Sequence, residues 1–285
     1  VPALLDIPKF PANSSEQTRE ELKVLLKFQQ ERTEEQINRY RMLAGIFHSP
    51  GNFNPIDPDY DRNFSSLFHI GSPLGEWYNY KNLPLTAKLL SGVYRDAMYY
   101  VFRLKVVLNR PRPYHLEPKL NALEKPLHQS YPSGHSSGSY ANAYVMMEIA
   151  PQLANEFLKM GEEMAISREY LGCHYPSDSE MGRTWARLFV NELFKKQKFV
   201  NDFEAAKKEI AEFQKKQALI NIEANKSSQC SLSETVPGCG NGCDGKCSNL
   251  GKYLYVFVHV HVHDDVVVHV LVFCSNCIHV HVLYR

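Results

Sequence analysis

Three clusters of polar residues between Lys105 and Asp178 hold side chains able to do chemistry. The first is Lys105 followed, after six residues, by Arg112 and Pro113; the second is Pro132-Ser133-Gly134-His135; the third is Ser167-Arg168, then His174, then Asp178. Together they supply three cations, two imidazoles, a hydroxyl and a carboxylate. That set suits the holding of a tetrahedral oxyanion and its transfer to a nucleophile. A phosphate monoester carries close to two negative charges, and charge spreads over the equatorial oxygens during transfer. The planar fork of Arg donates two parallel hydrogen bonds to such oxygens, so Arg112 and Arg168 are candidates, with Lys105 as a more point-like third cation. Ser133 and Gly134 open a helix, where unpaired N–H groups favour an anion, Gly134 admits close backbone approach and Ser133 adds a hydroxyl.

The two histidines can divide the remaining work. Asp178 lies four residues beyond His174. A carboxylate on one ring nitrogen fixes the tautomer and frees the other to attack. His135 can give a proton to the leaving alkoxide and later take one from water. With both imidazoles near the unperturbed value of about 6.5, the rate should be bell-shaped in pH, with an optimum at or below neutrality. No cluster of carboxylates offers a magnesium or two-metal site, so the expectation is no metal and no cofactor.

These clusters fall at bends between helical segments. Ser14 with Gln17, or Ser15 alone, opens a helix, and Gly45 ends it or a second one. Residues 49–63, rich in Pro, Asn, Asp and Gly, read as a surface loop. From Pro84, Leu85, Leu89, Val93, Ala97, Val101, Leu104 and Leu108 recur at three- and four-residue steps as one helical stripe, which Asn109-Arg-Pro-Arg-Pro stops. Residues 114–131 read as a loop. Helices follow from Ser133 to about Ile149, from Leu153 to a Gly172 cap, from Asp178 to Lys196 behind a Ser177–Glu180 capping box, and from Asp202 to Leu219. Nothing before residue 220 alternates with period two, so this body, residues 1–219, reads as all-α.

Composition narrows the class. The chain has 285 residues, 44% hydrophobic and 22% charged, with a net charge of +1. That balance gives no reason to expect nucleic acid as a partner. The most apolar long stretch, 83–108, carries five charged residues, so no integral membrane segment is expected. The first residues lack the basic start and apolar run of a signal peptide, and the chain opens on Val. A removed leader or a late-starting sequence, and hence a periplasmic or secreted protein, is the expectation. Six of the seven cysteines lie at Cys230 or beyond, in a Cys-, His- and Val-rich tail spanning 220–285. Its valine–histidine alternation would put the two residue types on opposite faces of a strand. The cysteine spacing fits no zinc module, and a misread or read-through terminus without a packed core is the preferred account.

Taken in order, Lys-x6-Arg-Pro, Pro-Ser-Gly-His and Ser-Arg-x5-His-x3-Asp resemble the three-part signature of the type 2 phosphatidic acid phosphatase and vanadium haloperoxidase superfamily. Ser130-Tyr-Pro-Ser-Gly-His135 is most similar to the bacterial class A non-specific acid phosphatases, and the resemblance covers about residues 15–217. It implies an all-α helical bundle of that type and hydrolysis of phosphate monoesters, with vanadate as an inhibitor and homo-oligomers allowed. It also implies that Lys105, Arg112, Ser133, Gly134 and Arg168 bind the phosphoryl oxygens. His174 would be the nucleophile that becomes phosphohistidine, His135 the general acid and Asp178 the residue that orients His174. Residues 54–80 depart from the family, so substrate preference does not carry over. A vanadate-dependent haloperoxidase fits the same signature, but the body is short for one. A lipid-phosphate phosphatase fits less well without membrane spans. A metal-binding module on a degenerate phosphatase body is the rival of another class, and the intact signature speaks against it.

Overall fold

Ser15 accepts a hydrogen bond from the Thr18 amide and starts α1 (Glu16–Glu31). Thr33 then restarts the chain as α2 (Glu34–Gly45), through a reciprocal capping box with Gln36. Gly45 therefore ends a second helix. The structure, a computed structural model, describes residues 2–46, 56–233, 257–262 and 266–271. Part of the expected loop at 49–63 lies outside these residues, and its end is helical, because α3 (Tyr60–Leu67) starts within it.

The long α4 (Pro84–Leu108) has Pro at its first position and stops at Asn109, which turns left-handed at φ 50°. Its inward stripe runs Leu89, Val93, Ala97, Val101 and Leu104, all buried. Leu85 is 46% exposed, since at the first turn the stripe has not yet reached the core. A single turn, α5 (Pro113–Leu116), interrupts the loop that follows. Next come α6 (Gly134–Ile149), capped by Ser133, and α7 (Ala154–Tyr170), closed by Gly172 at φ 76°, a conformation glycine adopts without strain.

α8 (Pro176–Phe194) begins two residues before its expected start. Proline is preorganised for the first turn and brings no N–H to satisfy there. Asp178 caps the helix instead of Ser177, its carboxylate accepting the Tyr175 amide at 3.1 Å. α9 (Gln197–Ser233) runs well past the expected Leu219.

α6 is central, packed by α4, α7 and α8. Ala141, Val145, Phe157, Met164, Trp185 and Phe189 are buried in the core, and the Trp185 and Phe189 rings stack at 5.0 Å. Each large side chain so buried is worth about 1.5–3 kcal/mol. Trp185 Nε1 donates to the Leu4 carbonyl at 3.0 Å and pins the N-terminal segment. The closest approach is at Gly182 of α8. A Cβ there would sit 2.8 Å from Ser136 Cβ and 2.9 Å from the Ser133 carbonyl, so only glycine lets α8 lie this near the start of α6.

The chain divides into residues 1–225 and 226–285. The first unit is all-helical among its described residues, as expected. In the second, β1 (Phe257–Val262) and β2 (Val266–Leu271) pair antiparallel, with Phe257 opposite Leu271 and His259 opposite His269. Cys239, Cys243, Cys247, Cys274 and Cys277, and the zinc reading with them, lie outside the described residues.

Candidate active site

The end of α4, the start of α6, the end of α7 and the loop before α8 meet at a cavity of about 600 Å³. Lys105, Arg112, Gly134, His135, Arg168 and His174 line it, six of the eight residues singled out by sequence. Tyr94, Met98 and Phe102 of α4 form an apolar wall, and the loop 124–128 forms the side opposite. A slightly larger groove, about 640 Å³, follows α4 past Arg95, Tyr99 and Val106, and holds none of the eight.

Asp178 and Ser133 stand directly behind this lining. His174 Nδ1 is 2.9 Å from Asp178 Oδ2, and His174 Nε2 is 2.9 Å from Arg112 Nη1. A guanidinium can only donate, so Nε2 must accept and carries no proton. The ring proton therefore sits on Nδ1 and is donated to Asp178. The same carboxylate accepts from the Ser130 hydroxyl and the Tyr175 amide at Oδ2, and from Arg110 Nη1 at 2.6 Å at Oδ1. His174 is held well below the usual imidazole range, first by burial and then by the charges of Arg112, Lys105 and Arg168. Its neutral form is thus favoured, where the sequence alone suggested an ordinary imidazole.

The cations are buried together. Lys105 Nζ donates to the carbonyls of Gln129 and Ser130, both at 2.9 Å. Burial, and then Arg112, push its pKa well down. Arg112 Nε donates to the His128 carbonyl at 2.9 Å and Nη1 to the Cys173 carbonyl at 2.6 Å. Arg168 Nη2 pairs with Glu124, while its buried Nε and Nη1 have no hydrogen-bond partner among the described residues. Buried donors of this kind are costly unless something accepts from them, and an oxyanion in the cavity would do so.

At the head of α6, Ser133 Oγ accepts from the Ser136 amide at 3.3 Å, an N-cap. The Ser133 N–H donates to the Asp178 carbonyl at 3.0 Å, so the helix terminus turns Gly134 to the cavity in its place. His135 Nε2 is 3.1 Å from the Ala44 carbonyl, which anchors that ring to the end of α2.

Sequence reasoning missed five residues. Glu21 and Arg110 support Asp178 from behind; Glu124 and His128 hold the two arginines; Ser130 bonds the carboxylate. His128 Nδ1 lies 3.0 Å from Arg112 Nη2, and burial, Lys105 and Arg112 bring its pKa down to about 4. Only Arg110 and Ser130 gave a signal, lying two and three residues from Arg112 and Ser133. Among the described residues no group of three or more His, Cys, Asp or Glu is arranged to hold a metal ion. No described helix is long and apolar enough to cross a membrane.

The chain is 32% identical over 158 residues to a non-specific acid phosphatase of Providencia stuartii, a span covering 53% of this chain and 61% of that protein. It is 30% identical over 133 residues to an acid phosphatase of Zymomonas mobilis, covering 45% of this chain and 50% of that one. The matched stretch is thus half to three-fifths the length of these relatives. A bacterial vanadium-dependent iodoperoxidase superimposes with a TM-score of 0.51 at 20% identity, over 70% of this chain and 52% of that one, a likeness of fold alone. The PAP2 superfamily model matches residues 85–201. That span runs from the first turn of α4 into α9, so residues 85–201, which match the PAP2 superfamily, take in all three clusters.

Proposed function

We propose that this chain is an acid phosphatase that hydrolyses phosphate monoesters, without a metal, through a phosphohistidine at His174. One observation carries the reading: His174 is fixed between a carboxylate at Nδ1 and a donor-only guanidinium at Nε2, so its unprotonated nitrogen faces the cationic cavity. The phosphatase names of the relatives support the same reading.

The phosphoryl oxygens enter among Lys105, Arg112, Arg168, the Gly134 amide and the Ser133 hydroxyl, displacing the contact between Arg112 and His174. His174 Nε2 attacks phosphorus with its lone pair. The ester P–O bond breaks, its electrons stay on oxygen, and His135 supplies the proton. Asp178 stabilises the charge gained by the ring. Water, giving its proton to His135, then cleaves the P–N bond and releases phosphate. Two guanidiniums and an ammonium neutralise the equatorial oxygens, the task a metal performs in other phosphoryl transfers. Burial and cationic neighbours favour the neutral form of His174, which supports a reaction on the acid side. A periplasmic or secreted setting belongs to the same reading, and vanadate is expected to inhibit by occupying the phosphoryl position.

The test is quench trapping with radiolabelled substrate. A label that is lost in acid, survives base and disappears in His174→Ala is expected. A label stable in acid and lost in base would point to a serine or carboxylate nucleophile and overturn the reading.

A further inference from the structure

We propose that Arg110, backed by Glu21, is a positioning residue that sets the orientation of His174 through Asp178. The inference rests on His174 being the nucleophile, as proposed above. Arg110 stands two residues before Arg112, yet its side chain does not reach the cavity. It is fully buried on the other side of Asp178. Nη1 donates to Asp178 Oδ1 at 2.6 Å and to Ser177 Oγ at 2.7 Å, and Nη2 to Glu21 Oε2 at 3.1 Å. The guanidinium lies 3.7 Å from the centre of the Tyr175 ring. Glu21 reaches the same turn independently, its Oε1 accepting the Ser177 amide at 2.7 Å.

A carboxylate free to rotate would not fix an imidazole. Here one oxygen is given to His174, Ser130 and Tyr175, and the other to Arg110, so the plane of Asp178 is defined from both ends. Arg110 also brings a cation against Asp178 from the side away from the cavity. From α1 comes Glu21; from α7, Glu169, whose carboxyl is pushed up to about 7 by burial. Lys105 and Arg112 face Asp178 from the cavity side, and the phenols of Tyr131 and Tyr175 are within its field. Since Glu21 shares Arg110 with Asp178, neutralising Glu21 leaves the whole guanidinium charge to Asp178.

The signs of the two perturbations are therefore opposite. Arg110→Gln removes the cation that shares Asp178, so more of the carboxylate's charge is left to favour a proton on His174. The acid limb of kcat/KM moves to higher pH. Glu21→Gln moves it to lower pH. The experiment uses the full chain, with kcat and KM on an aryl phosphate across pH, thermal melts as a fold control, and ¹⁵N shifts of His174. For Arg110→Gln, kcat should fall about ten- to a hundredfold, the range of one hydrogen bond to a charged group. KM should change by less than about threefold. Arg110→Lys, which keeps the charge, should restore part of kcat and the position of the limb. A folded Arg110→Gln with its acid limb and His174 shifts unchanged, or both variants moving the limb the same way, would overturn the proposal and leave Arg110 a packing residue. If Arg110→Gln does not fold, the downward shift in Glu21→Gln is the deciding result, and its absence overturns the proposal. Label trapped on another residue would instead sink the nucleophile assignment, which this experiment does not read.

Discussion

Replacing Asp178 with Asn changes no volume and one charge, yet it should disable the site. The carboxylate accepts from His174 Nδ1 at 2.9 Å, Tyr175 N at 3.1 Å, Ser130 Oγ, and Arg110 Nη1 at 2.6 Å. Every group around it is a donor, and an asparagine offers one accepting end. If its oxygen faces His174, its NH2 opposes the Arg110 guanidinium, which keeps only Glu21 as a charged partner. Breaking a buried pair in this way costs about 3–5 kcal/mol of stability. If the NH2 faces His174 instead, Nδ1 must accept, the proton moves to Nε2 and the attacking lone pair is gone. The equivalent exchange in a serine-protease triad lowers kcat about 10⁴-fold through the wrong tautomer. A loss on the order of 10³–10⁴ is expected here, roughly 4–5.5 kcal/mol of activation free energy. Rapid-quench turnover of an aryl phosphate measures the chemical step, a thermal melt the stability, and ¹⁵N spectra of the His174 ring the tautomer. A variant that turns over within about threefold of wild type would refute the reasoning. So would a large loss of rate with the Nδ1–H tautomer unchanged.

Arg112→Lys keeps the charge but loses the fork that spans His128, Cys173 and His174, and kcat/KM should drop about ten- to a hundredfold; an unchanged value would mean the guanidinium does not bind phosphoryl oxygens. His135→Ala should be slow on alkyl phosphates and recover in part on an aryl phosphate whose phenolate leaves unprotonated, so equal losses on both would remove His135 as the acid. Glu169, with its carboxyl raised from 4.5 to about 7 by burial, favours folding while protonated, and that advantage is lost as pH rises from the unfolded value toward 7. Glu169→Gln should therefore raise Tm at pH about 8, by up to roughly 3 kcal/mol of stability, and leave it nearly unchanged at pH about 4; melts at the two pH values decide it. Chelator should leave turnover intact, and loss of activity restored by zinc or magnesium would contradict the metal-free mechanism.

The residues that meet at the cavity were legible because each cluster is local. A cation on the last turn of α4, a helix start and an i, i+4 His–Asp pair each show in a few consecutive residues. The supports were not legible, because their partners are remote. Glu21 meets Arg110 across 89 residues and Ser177 across 156, and no periodicity links such positions. The start of α8 was misplaced for a related reason: Ser177 looks like a cap, but tertiary partners claim its hydroxyl and its amide, and Asp178 takes over the cap. The helical stripe of α4 was read nearly whole, since burial of one face is what its spacing encodes. Leu85 departs because helix periodicity says which face a residue is on, and not whether the core extends that far.

Gly182 does not line the cavity, yet it sets the spacing of the candidate site. α6 begins at the proposed phosphate cradle, α8 follows directly on the loop bearing His174, and the two helices are brought together where Gly182 faces Ser133 and Ser136. In-line attack needs the reacting atoms about 3–3.5 Å apart, and small misplacements are felt in rate. One methyl group at this position would wedge against backbone, at 2.9 Å from the Ser133 carbonyl, and widen the gap between the proposed cradle and His174 from outside the pocket. Mutational scans limited to cavity-lining residues would pass over it, although it gauges the distance on which their chemistry depends.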